Sequence, residues 1–213
     1  MRIILIYDSS SHCLFGNSKW EQKIDKYFDL LIRKNDLKTE DLSDNKIVYL
    51  AELDVDDVVA IEYLYNNYVL KCVVCEPKPS TKIGKIREGN LKELGIKINY
   101  TIPDDTNIVF CGGALTNLSK FIENHKISIL VMNGGFVGDN IVPKKDRLDK
   151  FDGKKTIRTF NFNCDIQSTD KILKSSTEKI GKIILVGKNV CHSELNTPYN
   201  IWNYKEYNYL FKI

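Results

Sequence analysis

Val48-Tyr-Leu-Ala-Glu-Leu-Asp-Val-Asp-Asp-Val-Val-Ala-Ile-Glu-Tyr-Leu64 sets an apolar strand against an amphipathic helical pattern, with four carboxylates at the junction. The strand is Ile47 to Leu50, and the helix pattern runs from Asp56 to Tyr65, with apolar residues returning at helical spacing. Glu52, Asp54, Asp56 and Asp57 crowd the turn between them. Four like charges this close repel one another unless a hard cation with oxygen ligands sits among them. The alternative is local: Asp54 caps the helix while Asp56 and Asp57 complement its dipole.

The same alternation continues outward. Arg2 to Tyr7, Tyr68 to Val74, Asn107 to Cys111, Ser128 to Met132 and Lys182 to Val186 read as further strands buried on both faces. Trp20 to Ile32, Leu115 to Ile122 and Thr169 to Lys174 read as helices. Strands alternating with helices predict an α/β fold, a mostly parallel central sheet flanked by helices in a Rossmann-like arrangement. The 213 residues suit a single domain, with residues 1–45 as an N-terminal strand and helix and 193–213 as a Tyr- and Asn-rich tail. Glu76 to Gly89 and Gly138 to Lys155 read as surface loops, the second long enough to suggest a functional role.

Composition narrows the classes. With 43% hydrophobic and 28% charged residues the chain falls outside the disordered and fibrous ranges. A net charge of +3 is too small to imply nucleic acid, and the lysine-rich 138–155 loop lacks interleaved aromatics for stacking bases. Asp8 interrupts the apolar run Ile3 to Tyr7, so no signal core or membrane span is expected, and the chain is expected to be cytoplasmic. Six scattered cysteines fit reduced thiols. Cys72-x-x-Cys75 could supply half a zinc site, but no second pair stands at suitable spacing.

In parallel sheets, ligands bind beyond the carboxyl ends of the strands. Three more strand ends therefore matter: Cys111-Gly-Gly-Ala-Leu-Thr-Asn117, Met132-Asn-Gly-Gly135 running on to Gly138-Asp-Asn140, and Thr159-Phe-Asn-Phe-Asn-Cys-Asp165. In the last, strand-like alternation would put Asn161 and Asn163 on one face and Phe160 and Phe162 on the other. Two amides on one face can bind a polyol or cap loops. His12 and His125 read as structural, and His192, at a strand end, as a candidate acid.

In this order the segments resemble the inosine-uridine-preferring nucleoside hydrolase family. Its Asp-x-Asp-Pro-Gly-x-Asp-Asp signature is similar to Leu50-Ala-Glu-Leu-Asp-Val-Asp-Asp57, with Leu50 for the first Asp, Glu52 for the second and Leu53-Asp54 for Pro-Gly. Its Gly-Pro-Leu-Thr-Asn resembles Gly113-Ala-Leu-Thr-Asn117, its Met-Gly-Gly resembles Met132-Asn-Gly-Gly135, and its Gly-Asn-x-x-Pro resembles Gly138-Asp-Asn-Ile-Val-Pro143. Its Glu-Phe-Asn-x-x-x-Asp resembles Thr159 to Asp165, with Thr159 in place of Glu, and its Asp-Val-Thr-His resembles Asn189-Val-Cys-His192. The late His-Asp-Pro segment of that family has no counterpart.

The resemblance implies hydrolysis of the N-glycosidic bond of a ribonucleoside or related ribosyl compound, by calcium-assisted activation of water against an oxocarbenium-like transition state. Glu52 would be general base and metal ligand, Asp57 a calcium ligand, and Thr116 a ligand through its backbone carbonyl. Asp56, Asn140 and Asn161 would hold the ribose hydroxyls, and a homo-oligomer is implied. The departures leave a second reading: a catalytically inactive relative that binds a ligand or a partner.

Overall fold

The computed structural model describes residues 2–6, 47–142 and 144–191. The expected helix over 20–32, His12, His192 and the tail at 193–213 lie outside them.

In order, the elements are β1 (Arg2–Ile6), β2 (Ile47–Ala51), α1 (Val55–Asn67), β3 (Leu70–Cys75), α2 (Lys82–Glu93), β4 (Ile98–Asn99), β5 (Ile108–Cys111), α3 (Thr116–Asn124), β6 (Ile127–Asn133), α4 (Phe160–Cys164), α5 (Ile166–Leu173), β7 (Ile180–Val186) and α6 (Lys188–Cys191). The seven strands form one sheet ordered β1-β7-β6-β5-β2-β3-β4, and every pairing is parallel. The expected α/β architecture is therefore the one observed, with the sheet entirely parallel.

Alternation along the central strands divides the core into two. Ile47, Tyr49 and Ala51 of β2, Val73 and Cys75 of β3, and Ile108 and Phe110 of β5 pack with Val58, Ile61 and Leu64 of α1 and Leu91 of α2. Val48 and Leu50, Cys72 and Val74, and Val109 and Cys111 pack on the opposite side with Leu118, Phe121 and Ile122 of α3 and Ile172 of α5. Both faces are covered, which is why these strands read as unbroken apolar runs. Burying each aliphatic side chain contributes about 1.5–3 kcal/mol.

Three expectations are corrected. Glu76 to Gly89 is not a loop throughout: α2 begins at Lys82, and the hydroxyl of Thr81 accepts a 3.0 Å hydrogen bond from the Gly84 amide at the helix N-terminus. The prolines and lysines obscured it, because α2 buries only Glu88 and Leu91. Residues 160–164 form helix α4, so the strand-like alternation expected for Asn161 and Asn163 does not occur. Cys72 and Cys75 are both buried free thiols, in opposite core halves, so they cannot share a metal ion. The 138–155 segment is a loop as expected, with two 3-10 turns at Lys144–Asp146 and Asp149–Phe151, and is drawn closed where the Asp139 amide donates to the Lys154 carbonyl at 3.0 Å.

The topology fixes where a ligand would sit. From β2 the chain proceeds outward through β3 and β4, then returns to β2's other side and builds β5, β6 and β7 away from it. Connections depart in opposite directions from β2 and β5, opening a crevice beyond their carboxyl ends. Leu50 and Cys111 are the last residues paired across that gap.

Candidate functional site

A pocket of about 280 Å³ occupies this crevice. The turn between β2 and α1 contributes Glu52, Asp54 and Asp56, β5 contributes Gly112, and the end of β6 contributes Asn133, Gly134 and Gly135. Thr159, Phe160 and Asn161 enter from the start of α4, and Lys188 from α6.

Glu52 is half-buried. Its Oε1 accepts a 3.3 Å hydrogen bond from the Ala114 amide. Its side chain passes so close to Gly113 that a Cβ there would lie 2.8 Å from Glu52 Cγ, so the glycine makes room for the carboxylate. Burial raises the Glu52 carboxyl above its usual range, the Ala114 amide pulls it partly back, and Asp54 and Asp56 push it up again. Asp56 stands exposed at the pocket mouth. Its carboxyl is also raised, by the surrounding protein first, while the helix amides of Asp56 and Asp57 oppose the rise and Asp54 adds to it. Asp54 occupies the N-cap position but makes no capping hydrogen bond through its side chain.

Asp57 turns the other way. It is 2% exposed. Its Oδ1 accepts from the Tyr49 hydroxyl at 3.0 Å, and its Oδ2 accepts from the amides of Glu52 at 2.9 Å and Leu53 at 3.0 Å. Burial, reinforced by Asp56, pushes this carboxyl up to about 7 despite its three donors. Leu53 is buried with φ at 63°, a left-handed conformation costing a non-glycine residue on the order of 1–3 kcal/mol. Proline cannot adopt it, so this turn differs from one built on the Pro-Gly of the resembling signature. Arg87 Nη1 reaches across from α2 and donates to the Leu53 carbonyl at 2.8 Å.

Asn161 fastens two strand ends together. Its Nδ2 donates to the Gly112 carbonyl at 2.7 Å and the Asn133 carbonyl at 2.9 Å, leaving the amide oxygen as the group a ligand hydroxyl can use. Thr116 lies outside the pocket wall: its hydroxyl donates to Asp165 Oδ2 at 2.7 Å and its carbonyl accepts from Ser119 Oγ at 2.9 Å. Asn140 sits in the 138–155 loop, its amide oxygen over Gly138, also away from the wall.

Glu52, Asp56 and Asn161 thus converge, whereas Asp57, Thr116 and Asn140 do not join them. Among the described residues no group of three or more His, Cys, Asp or Glu side chains is arranged to hold a metal ion. The calcium set drawn from the resemblance, Glu52, Asp57 and Thr116, does not fit the ion as arranged here. Two of its members already spend their oxygens on protein donors.

Sequence reasoning missed Lys188, Tyr49 and Arg87. Lys188 stands two residues beyond β7, and the rule that pointed to other strand ends would have found it. Tyr49 is hidden inside an apolar strand, and Arg87 lies on the helix that was read as a loop.

A second cavity of about 340 Å³ shares Gly134, Gly135 and Thr159 with the first and is lined by Phe136, Ile157, Phe162 and Leu185. The divider is a hydrogen bond, 3.2 Å long, from the Gly135 amide to Thr159 Oγ1. A polar compartment and an apolar one therefore lie side by side. Comparison with protein-family models and with curated proteins finds no match. No helix among the described residues is long and apolar enough to cross a membrane.

Proposed function

We propose that this chain is a nucleoside hydrolase-like enzyme that cleaves the N-glycosidic bond of a ribonucleoside or related ribosyl compound. The observation that carries the reading is the meeting of Glu52, Asp56 and Asn161 in one pocket at the sheet's switch point. A carboxylate raised by burial is suited to take a proton near neutral pH, and Glu52 is such a group. In this reading Glu52 removes a proton from water, the water oxygen bonds to the anomeric carbon, and the carbon–nitrogen bond breaks with its electron pair leaving on the base, which is then protonated. Asp56 and the Asn161 oxygen accept hydrogen bonds from sugar hydroxyls. The developing positive charge on the sugar is stabilised by the surrounding carboxylates. The adjoining apolar cavity offers a flat base a place beside the sugar. No step is routed through calcium, since Asp57 and Thr116 are committed elsewhere.

The test is a screen of purine and pyrimidine ribonucleosides with wild type and Glu52→Gln. Turnover falls by about a hundredfold or more in the variant if Glu52 is the base. A second reading, a ligand-binding relative without turnover, is favoured by the Leu53 turn, which departs from the signature it resembles. Saturable nucleoside binding with no product from any substrate would select it.

A further inference from the structure

We infer that Tyr49, Asp57 and Arg87 form an internal clamp that sets the Glu52 carboxylate in place without a metal ion, so that Asp57 is a positioning residue and not a cation ligand. The inference rests on the reading of Glu52 as the working carboxylate. The left-handed Leu53 makes the two successive amides of Glu52 and Leu53 point to one side, and such paired N–H groups form a concavity that binds anions. Here the anion is the chain's own: Asp57 Oδ2 takes both amides, at 2.9 and 3.0 Å. Tyr49, buried on the central strand, holds the other oxygen through its hydroxyl. The carboxylate lies directly against Gly112, where a Cβ would come within 1.8 Å of Asp57 Oδ1 and 2.7 Å of the Tyr49 oxygen, so only glycine permits the pair.

Arg87 supplies what an ion would otherwise bring, a fixed positive charge beside crowded carboxylates. Its side chain is 14% exposed and its guanidinium lies 3.8 Å from Asp54 Oδ1 while holding the Leu53 carbonyl. The Arg87 Nε–H is buried with no hydrogen-bond partner. That loss is tolerable where the charge and the grip on Leu53 keep the guanidinium in place. A strained turn persists only when its surroundings over-determine it, and four hydrogen bonds from three side chains do so here.

Amide hydrogen exchange by NMR on the chelator-stripped full chain tests the clamp, because it needs no substrate. The Glu52 and Leu53 amides are expected to be protected with no ion present, and millimolar Ca²⁺ should leave them unchanged. Asp57→Ala should accelerate exchange at both by about tenfold or more. Asp57→Asn keeps an acceptor oxygen and should restore protection, a rescue that an ion-ligand role would not give. Strand amides of Val73 and Val109 in the same spectra report whether each variant is folded. Should Asp57→Ala fail to fold, Tyr49→Phe, which removes one donor and keeps the ring, takes its place with a smaller acceleration expected. Rapid exchange at Glu52 and Leu53 in stripped protein, slowed by Ca²⁺, would overturn the clamp. Protection as expected in a protein that cleaves no ribosyl compound would uphold the clamp and remove the proposed activity. Activity that is lost with the chelator and regained with Ca²⁺ together with protection would do the reverse.

Discussion

At the scale of single residues, the ionisation of Asp57 should govern how stability varies with pH. Its ordinary carboxyl value of 3.8 is pushed up to about 7 in the fold. A folded value above the unfolded one means a contribution to stability that is fully present below about pH 4 and lost as pH rises through about 7. The full gap corresponds to at most about 4 kcal/mol. Urea unfolding followed from pH 4 to 8 should therefore show a falling midpoint in wild type. Asp57→Asn, which resembles the protonated acid, should flatten that decline, and an unchanged decline would remove Asp57 as its source. Asp57 also shows where reading by residue type stops. Asp56 and Asp57 are adjacent acids in a first helical turn, and successive helix positions point roughly 100° apart. Which one meets solvent and which one enters the core depends on Tyr49 and Gly112, whose proximity only the fold creates. Glu52 was legible because it directly follows a strand.

At the scale of elements, the joint between α3 and α5 depends on Asp165. It caps α5 by accepting from the Ser168 amide at 2.9 Å, and it also accepts from the hydroxyls of Ser168 and Thr116, each at 2.7 Å. Those donors hold its carboxyl down at about 2. With the folded value depressed, its stabilisation is present above the ordinary carboxylate range and disappears as pH falls through about 2. Asp165→Ala should cost about 1–2 kcal/mol at neutral pH, as the loss of a helix cap does, and thermal unfolding measures it. Apolar elements were the legible ones: β2, β5 and α1 announce themselves by period and composition. Helices α2 and α4 did not. The first buries too few residues to show a stripe, and the second has five residues and buries none, so neither leaves the periodic signal on which such reading depends.

At the scale of the whole molecule, the parallel order was readable from alternation alone, while the order of strands was not, because sequence carries no record of which side of β2 the chain returns to. The centre of the sheet should be the least forgiving region. Leu130 on β6 is fully buried at 0% exposure, and Leu130→Ala should destabilise by about 2–5 kcal/mol, read as a shifted denaturation midpoint; a change under about 1 kcal/mol would mean that this core half repacks freely. The pairing of β1 with β7 sets Arg2 opposite Lys182 and Ile6 opposite Val186. During synthesis on the ribosome the first strand to emerge must then wait for the last one before it gains a neighbour, and until that moment its row of backbone amides and carbonyls is open to any passing edge. For this protein the interval between the start and the end of translation is thus a window of vulnerability to misassembly, and slower elongation lengthens it.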